Sequence, residues 1–195
     1  MSAAIDGRVQ RGERNRTAIV DALLLLLSAG EPQPSARAIA EEAGVSLRSV
    51  FQHFDDMEAL YAELVERQLA HVWELFVPVD PALPFAARVD AVVGQRAQLW
   101  EHVAPVRRAA RRAAPSSPVV QRGLQRVAAE LRSRLATAFA FELSGGARKD
   151  MLAAVDAALS FDVWDQLRQE QGLGSAAAQR AVARLVGGAL RGRES

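Results

Sequence analysis

Residues 35–54 read SARAIAEEAGVSLRSVFQHF and carry the signals of two short helices joined by a tight turn. Ser35 and Ser46 each precede a run of helix-forming residues, and a serine hydroxyl at such a position accepts from the unpaired backbone N–H groups of the first turn. Gly44 stands where the first helix must end, because glycine adopts the left-handed conformation at little cost. The stretch therefore predicts a helix-turn-helix.

The second helix of this pair is amphipathic, since successive residues are rotated by about 100°. Its apolar side, which we expect to pack inward, comprises Leu47, Val50, Phe51 and Phe54. Its polar side comprises Arg48, Ser49, Gln52 and His53. These polar side chains can hydrogen-bond base edges or phosphate oxygens in a major groove. The alternative is an ordinary helical hairpin whose polar face is only solvated.

A first helix is predicted from residue 14 to 29, with Gly30 as its stop. The apolar residues expected to close a small core with the helix-turn-helix are Ile19, Ala22, Leu23, Leu26, Leu27, Ile39, Ala43, Val45, Val50 and Phe54. Residues 1–55 then form a three-helix DNA-binding domain, and a core of that size is marginal on its own. A long helix from about residue 56 to 76 is expected to join it to the remainder.

The composition is that of a globular chain of 195 residues, with half of them hydrophobic and no cysteine. The lack of cysteine excludes disulfides, thiolate metal sites and a cysteine nucleophile. The N-terminus has no apolar signal segment, and the leucine run at residues 23–27 is too short to span a bilayer. We expect a cytoplasmic protein without a membrane partner.

The charge of the predicted DNA-binding domain is balanced, because residues 1–54 contain six arginines and six acidic residues. What matters for phosphate contact is where the charges lie. Arg8, Arg11, Arg14 and Arg16 fall in an N-terminal arm and the start of the first helix, where we expect them to reach phosphates.

Two runs resemble a known family: AIVDALLLLLSAG at residues 18–30 and SARAIAEEAGVSLRSVFQHFDDMEALYAELV at residues 35–65. They are similar to the N-terminal region of TetR-type transcriptional regulators, and their Ile-Ala, Ala-Gly-Val-Ser and aromatic-x-His-Phe elements follow the family's order and spacing. The resemblance implies a homodimer with one DNA-binding domain in each chain. It also implies an all-helical C-terminal domain that binds a small effector.

The resemblance also implies roles for single residues. Ser35 and Arg37 match positions that usually touch phosphate, and His53 matches a frequent phosphate contact. The positions that match base-reading residues are Arg48, Ser49 and Gln52. With Ser46 and Phe51, these residues complete the predicted DNA-binding set.

Three positions depart from the family's pattern. Phe51 replaces the usual tyrosine, so its ring lacks a hydroxyl that could donate to a phosphate. Met57 replaces a usual lysine and removes a cation at the start of the fourth helix. Arg48 stands where glycine is common, and it can read guanine O6 and N7 or supply the phosphate contact that Met57 lacks. Whether the first two changes weaken DNA binding is left open.

The remainder of the chain predicts further helices and no strand, so the fold class is all-α. The predicted segments are helices at 85–103, 106–113, 119–143 and 148–171 and a last helix capped by Ser175, after a proline-rich linker at 78–84. Residues 56–195 then form a C-terminal effector-binding and dimerisation domain. Its last two long helices favour a four-helix bundle across a two-fold axis over packing within one chain. The run SFDVWDQLRQEQGL at residues 160–173 resembles C-terminal domains of TetR-type regulators.

The effector expected from the resemblance is small and largely apolar, because aromatic residues are available to line a cavity. The candidates are Trp73, Phe76, Trp100, Phe139, Phe161 and Trp164, with Phe141 as a further one. Each of them also fits an ordinary core position. A basic cluster comprises Arg107, Arg108, Arg111 and Arg112, which form either a solvated helix face or a contact with DNA or an anionic effector.

No catalytic, metal or cofactor site is predicted. His53, His71 and His102 are scattered, no Glu-x-x-His pair occurs, and no glycine-rich phosphate loop follows a strand. The sequence predicts a DNA-binding regulator, a repressor released from its operator by the effector. The alternative is a helical interaction module whose helix-turn-helix no longer binds DNA. The effector, the operator, the regulated genes and the choice between repression and activation are not encoded in any motif.

Overall fold

The computed structural model describes residues 2–74, 76–144 and 148–191, and the side chains of residues 2–9, 71 and 74 are outside this description. Every element in these ranges is helical, which confirms the all-α fold class. The helices are α1 (Ser2–Ser28), α2 (Ala36–Glu42), α3 (Leu47–His53), α4 (Met57–Glu74), α5 (Phe85–Ala113), α6 (Pro118–Ala138), α7 (Arg148–Ala158), α8 (Phe161–Asp165) and α9 (Ser175–Arg191). The side chains of Arg8 and His71, and the glycine break at 145–146, lie outside the described residues.

The chain divides into two compact units. The first comprises the described residues up to His71 together with Pro105–Gln125. The second comprises Val72–Ala104 and the described residues from Arg126 onward. Helices α4, α5 and α6 therefore each contribute residues to both units.

The first unit is larger than a domain of residues 1–55 because its core recruits later residues. Leu60 and Leu64 of α4 and Ala109 of α5 are buried together with residues of the first three helices. The residues of α1, α2, α3 and its C-cap in this core are Ile19, Val20, Ala22, Leu23, Leu27, Ile39, Ala40, Val50 and Phe54. The added leucines supply the apolar area that a three-helix core of this size lacks.

The turn between α2 and α3 depends on Gly44, whose φ of +66° lies in the left-handed region. The N–H of Gly44 donates to the carbonyl of Glu41, and the N–H of Val45 donates to that of Ala40 at 3.0 Å. These bonds satisfy carbonyls that the end of α2 leaves unpaired. Four residues, 43–46, separate α2 from α3.

Replacing Gly44 with alanine is expected to destabilise the protein by about 1–2 kcal/mol, because a side chain disfavours the left-handed conformation. A Cβ at this position would meet nothing within 4 Å, so the cost is one of backbone conformation alone. Urea unfolding followed by circular dichroism measures it. Gly94→Ala in α5 is the control, because it is equally uncrowded and needs no positive φ. Equal effects of the two substitutions would contradict the prediction.

Predicted helix boundaries are wrong in both α1 and α5. Helix α1 begins at Ser2 rather than at residue 14, so the segment that contains Arg11 is helical and not an arm. No proline stands before residue 14 to stop this helix. Pro105 does not interrupt α5, which runs on to Ala113. Trp100 before it and Ala109 after it are both buried, and this packing outweighs the one helical hydrogen bond that proline cannot make.

The helix predicted at 148–171 is broken at Ser160, which adopts an extended conformation and caps α8 by accepting from the N–H of Val163. Beyond Asp165 the chain continues as a π-helical turn, Gln166–Glu170. The break turns Phe161 and Trp164 into the core of the second unit. The predicted helix at 119–143 likewise ends earlier, at Ala138, and turns follow.

Helix α9 agrees with its predicted stripe at Ala178, Val182 and Val186, which are buried. Leu185 was expected on the same stripe, but it is 51% exposed. Ser175 is the first residue of the helix rather than its cap, since the carbonyl of Gly174 accepts from the N–H groups of residues 177 and 178.

Candidate nucleic-acid interface

Helices α2 and α3 are both fixed at their N-termini by serine caps, as predicted. The hydroxyl of Ser35 accepts from the N–H of Ala38, and the hydroxyl of Ser46 accepts from the N–H of Ser49, each at 3.1 Å. Both serines are exposed and keep an O–H that can donate outward. The caps hold the first turns of both helices in place without using that donor.

The outer face of α3 carries the residues predicted to read bases. Arg48 and Gln52 are exposed, and Ser49 between them is half-buried. The spacing of four residues places Arg48 and Gln52 one turn apart on the same side of the helix. Arg37 on α2 is also exposed. The side chains of Arg37, Arg48 and Gln52 are therefore available to solvent on short, capped helices.

The predicted inward face of α3 is only half correct. Val50 and Phe54 are buried, but Phe51 is 51% exposed and Leu47 is also exposed. Phe51 lies one helical step of about 100° past Val50, which is too far round to reach the core. Phe54 follows Val50 by four residues and therefore lies on the same side as Val50. It is the C-cap of α3, with φ −137°. An aromatic ring thus stands on the surface of α3 beside the polar side chains.

The C-terminal end of α3 is anchored by Arg16 of α1. Its guanidinium donates to the carbonyl of His53 at 2.8 Å and to the Glu63 carboxylate at 2.9 Å. It also lies over the ring of Phe54, 4.4 Å from the centroid. Arg16 was predicted to reach phosphates, but its charge is engaged within the protein, because three helices meet around it. Arg11 and Arg14 remain exposed on α1.

Glu63 is the acidic centre of this anchor. It accepts from Arg16 and also from Arg67 Nε at 3.1 Å. The hydrogen bond from Arg16 is the main reason that the pKa of Glu63 lies below its ordinary value, and the bond from Arg67 lowers it further. A carboxylate that stays ionised keeps α1, α3 and α4 joined at neutral pH.

His53 is half-buried at the last position of α3. Its imidazole lies beside Gly12 of α1, so the ring is held at the edge of the recognition face. This placement is compatible with the phosphate contact that the sequence predicted.

The basic cluster near the end of α5 belongs to the first unit. Arg111 and Arg112 are exposed in the last turn, where cations interact favourably with the helix dipole. Arg107 and Arg108 are half-buried, which the interpretation as a fully solvated face did not anticipate. Burial is the main cause that lowers the pKa of Arg107 to about 10, and Arg111 adds repulsion.

The aromatic residues proposed to line an effector site fall into three groups within the second unit. Trp100, Phe161 and Trp164 are buried, and the rings of Trp100 and Phe161 meet edge to face at 5.6 Å. Phe139 is fully buried and contacts Phe85 in the same manner.

Trp73 and Phe76 form the third group, and both are half-buried. Their ring centroids are 6.0 Å apart, and the guanidinium of Arg134 lies over both rings, 5.3 and 5.5 Å from the centroids. Phe141 is 82% exposed. Of these aromatic residues, Phe76 lines an open cavity of about 300 Å³ between the segment after α4 and helices α5 and α6.

Sequence reasoning missed two buried arginines in the second unit, Arg88 and Arg96. A signal was present in the sequence, because both share a four-residue spacing with Val92 and Trp100 on one face of α5. An arginine on an otherwise apolar stripe is unusual, since a buried cation needs partners. These partners differ between the two residues.

Comparisons with known proteins agree with this geometry. Residues 20–64 match the model of the tetR family of bacterial regulatory proteins. No curated protein matches the chain. The range of the family match includes α2, the turn and α3.

Two solved structures resemble the whole chain. A transcriptional regulator from Rhodococcus sp. Rha1 is 21% identical and has a TM-score of 0.67, and the match covers 93% of this chain and 96% of that one. A proposed TetR-family transcriptional regulator from Mesorhizobium loti MAFF303099 is 19% identical, with a TM-score of 0.57 and coverages of 92% and 96%. At these identities the likeness establishes the fold. Within the described chain, no helix is long and apolar enough to cross a membrane.

Proposed function

We propose that this chain is a TetR-type DNA-binding transcriptional regulator, a repressor that a small-molecule effector releases from its operator. The observation that carries the proposal is the exposed face of α3, with Arg48, Phe51 and Gln52 directed away from the core on a helix capped by Ser46. A repressor acts by occupying a promoter, and this face supplies the chemistry for recognising one.

The contacts that we propose follow from the chemistry of each side chain. Arg48, Ser49 and Gln52 read base edges, and Arg48 pairs with a guanine. Phe51 has no hydroxyl for a phosphate, but an exposed ring packs against thymine methyl groups. Phosphate contacts come from Ser35, Arg37, Ser46 and His53.

We propose that the protein is a homodimer that acts in the cytoplasm. One recognition helix of seven residues reads few base pairs, and a two-fold dimer places a second one in the next major groove, about 34–36 Å away. In the second unit the helices α7 and α9 pack on each other, and Leu185 is left exposed on α9. An apolar side chain on an exposed helix face is compatible with the four-helix interface that the sequence suggested.

Release would follow from effector binding in the second unit. Because α4, α5 and α6 contribute residues to both units, a shift of these helices on binding reaches the recognition helix. The effector must bind the DNA-free state more tightly than the DNA-bound state, and typical couplings of this kind are about 1–3 kcal/mol.

Selection of binding sites from genomic fragments with purified protein tests the proposal. We expect two-fold symmetric sites with half-sites about one helical turn apart, among them a site near the protein's own gene. The affinity should fall steeply with salt, because phosphate contacts release counterions. Absent or salt-insensitive binding would contradict DNA recognition and favour an interaction module. Light scattering of the free protein measures the oligomeric state.

A further inference from the structure

The cavity in the second unit combines an apolar wall with a buried cation. Its volume of about 300 Å³ is at the lower end of the range for small-molecule sites. Its lining includes the apolar residues Phe76, Val92 and Leu135 and the basic residues Arg96 and Arg134. A purely apolar ligand would not pair with the buried cation.

Arg96 is the deepest of these polar groups, with only 5% of the residue exposed. Within the described chain, the one hydrogen bond of its guanidinium runs from Nη2 to the carbonyl of Leu131 at 3.1 Å. The guanidinium also lies 5.9 Å from the ring centroid of Trp100. A carbonyl and a ring are weak partners for a full positive charge in a desolvated place.

The carboxylates near Arg96 are already paired with other arginines. Asp156 attracts Arg96, but it accepts from Arg132 at 2.7 Å. Glu130 lines the cavity and accepts from Arg134 at 2.8 Å. Burial lowers the pKa of Arg96 to about 10, so the group is still charged at neutral pH. The cavity therefore contains a cation without a carboxylate of its own.

Arg88, on the same helix, is a buried arginine that only supports the fold. It is similarly buried, and it pairs through both terminal nitrogens with the Glu142 carboxylate, at 2.8 and 2.6 Å. It also donates to the carbonyls of Leu83 and Ala138. Its charge and its donors are thus satisfied within the protein, whereas Arg96, two turns further along, donates to a carbonyl and lines a cavity.

We infer that the cavity takes a small organic acid, whose carboxylate pairs with Arg96 and whose apolar body packs against Phe76, Val92 and Leu135. This inference rests on the proposed function, because it gives the chemical class of the effector. A guanidinium matches the two oxygens of a carboxylate in a planar, two-bond arrangement. The expectation of a largely apolar effector then holds for the body of the ligand and not for its head group.

Matched pairs of acids and alcohols test this on the full-length protein. Binding of octanoate, 1-octanol, phenylacetate and 2-phenylethanol is measured by calorimetry without DNA. We expect at least one acid to bind roughly 10- to 100-fold more tightly than its alcohol, as for loss of a charged hydrogen bond. Acids that bind no better than their alcohols, or no binding of either acid at millimolar concentration, would overturn the inference.

Substitutions test which charge is responsible for the preference for the acid. Arg96→Gln should abolish the preference for the acid, whereas Arg180→Gln on the exposed face of α9 should keep it. Thr137→Trp provides a second test at an exposed position on the cavity rim, where a large ring should block both acid and alcohol without disturbing the core. Retention of the preference in Arg96→Gln, or unchanged binding in Thr137→Trp, would argue against this site.

DNA release measured in parallel separates this inference from the proposed function. If an acid binds in an Arg96-dependent manner but leaves the operator complex intact, the acid site is supported and release of DNA by this acid is contradicted. If the alcohols release DNA as well as the acids do, from the native protein and from Arg96→Gln alike, release stands and the assignment of an acid is wrong.

Discussion

Replacing Arg48 or Gln52 with alanine is expected to weaken operator binding by about 1–3 kcal/mol each and to relax the preference at the base pair that each side chain reads. Both side chains are exposed on α3, so their removal leaves the core unchanged. Fluorescence anisotropy with the selected operator and with single-base variants of it measures both effects. An unchanged sequence preference in both variants would show that the bases are read elsewhere.

Two other substitutions complete this experiment. Arg37→Ala on α2 should weaken binding to all sequences alike and reduce the slope of affinity against salt by about one charge, as expected for a phosphate contact. Glu42→Ala, also exposed on α2 but away from the recognition face, should change neither specificity nor unfolding. A loss of specificity in Arg37→Ala would reverse the proposed roles of the two helices.

Replacing Arg88 with methionine is expected to lower the free energy of unfolding by about 3–5 kcal/mol. Methionine keeps the long apolar stem of Arg88. The Glu142 carboxylate, however, loses both of its hydrogen bonds from Arg88. A carboxylate that is only 13% exposed is strongly unfavourable once it loses its cation. Urea unfolding at pH 7 and constant protein concentration measures the loss.

Arg96→Met is the matched control on the same helix. Arg96 makes one hydrogen bond to a carbonyl and leaves no carboxylate stranded when it is removed, so we expect a change within about 1 kcal/mol. The double variant Arg88→Met with Glu142→Leu should recover much of the loss, because both charges are then gone. Equal destabilisation by Arg88→Met and Arg96→Met would show that the two arginines are paired alike.

The effect of Arg88→Met should also depend on pH. The hydrogen bond from Arg88 holds the pKa of Glu142 below its ordinary value of 4.5. As the pH falls, Glu142 therefore takes up a proton in the unfolded chain before it does so in the folded protein. The stabilisation from the Arg88–Glu142 pair is complete above the ordinary pKa and is lost as the pH falls through the lower pKa of the folded state. In Arg88→Met the stranded carboxylate prefers to be protonated, so the difference from the native protein should shrink as the solution is acidified.

Local signals account for the parts of the fold that the sequence predicted well. Ser35, Gly44 and Ser46 act on backbone groups within three residues of themselves, so their effects do not depend on the rest of the molecule. The same holds for Ser160, where a cap inside a long apolar pattern was overlooked. Pro105 shows the limit of such signals, because the packing of α5 on both sides of it overrides a local preference for a break.

Periodicity misplaced two apolar residues. Phe51 and Leu185 both belong to apolar stripes, yet both are largely exposed. The spacing of apolar residues shows which side of a helix faces the core, but not how wide the buried part of its surface is. That width is set by the neighbouring elements, which come from distant parts of the chain.

The sequence by itself determined the all-α fold class, the helix-turn-helix and the polar side of α3, because each follows from caps, glycines and spacing within a few residues. Only the tertiary structure decided the partners of the arginines. Arg16 is joined to Glu63 and Arg88 to Glu142 across 47 and 54 positions of the chain, whereas Arg96 lines a cavity. A charge contributes according to what lies within a few ångströms of it, and in a folded chain those neighbours are not the residues next to it in sequence.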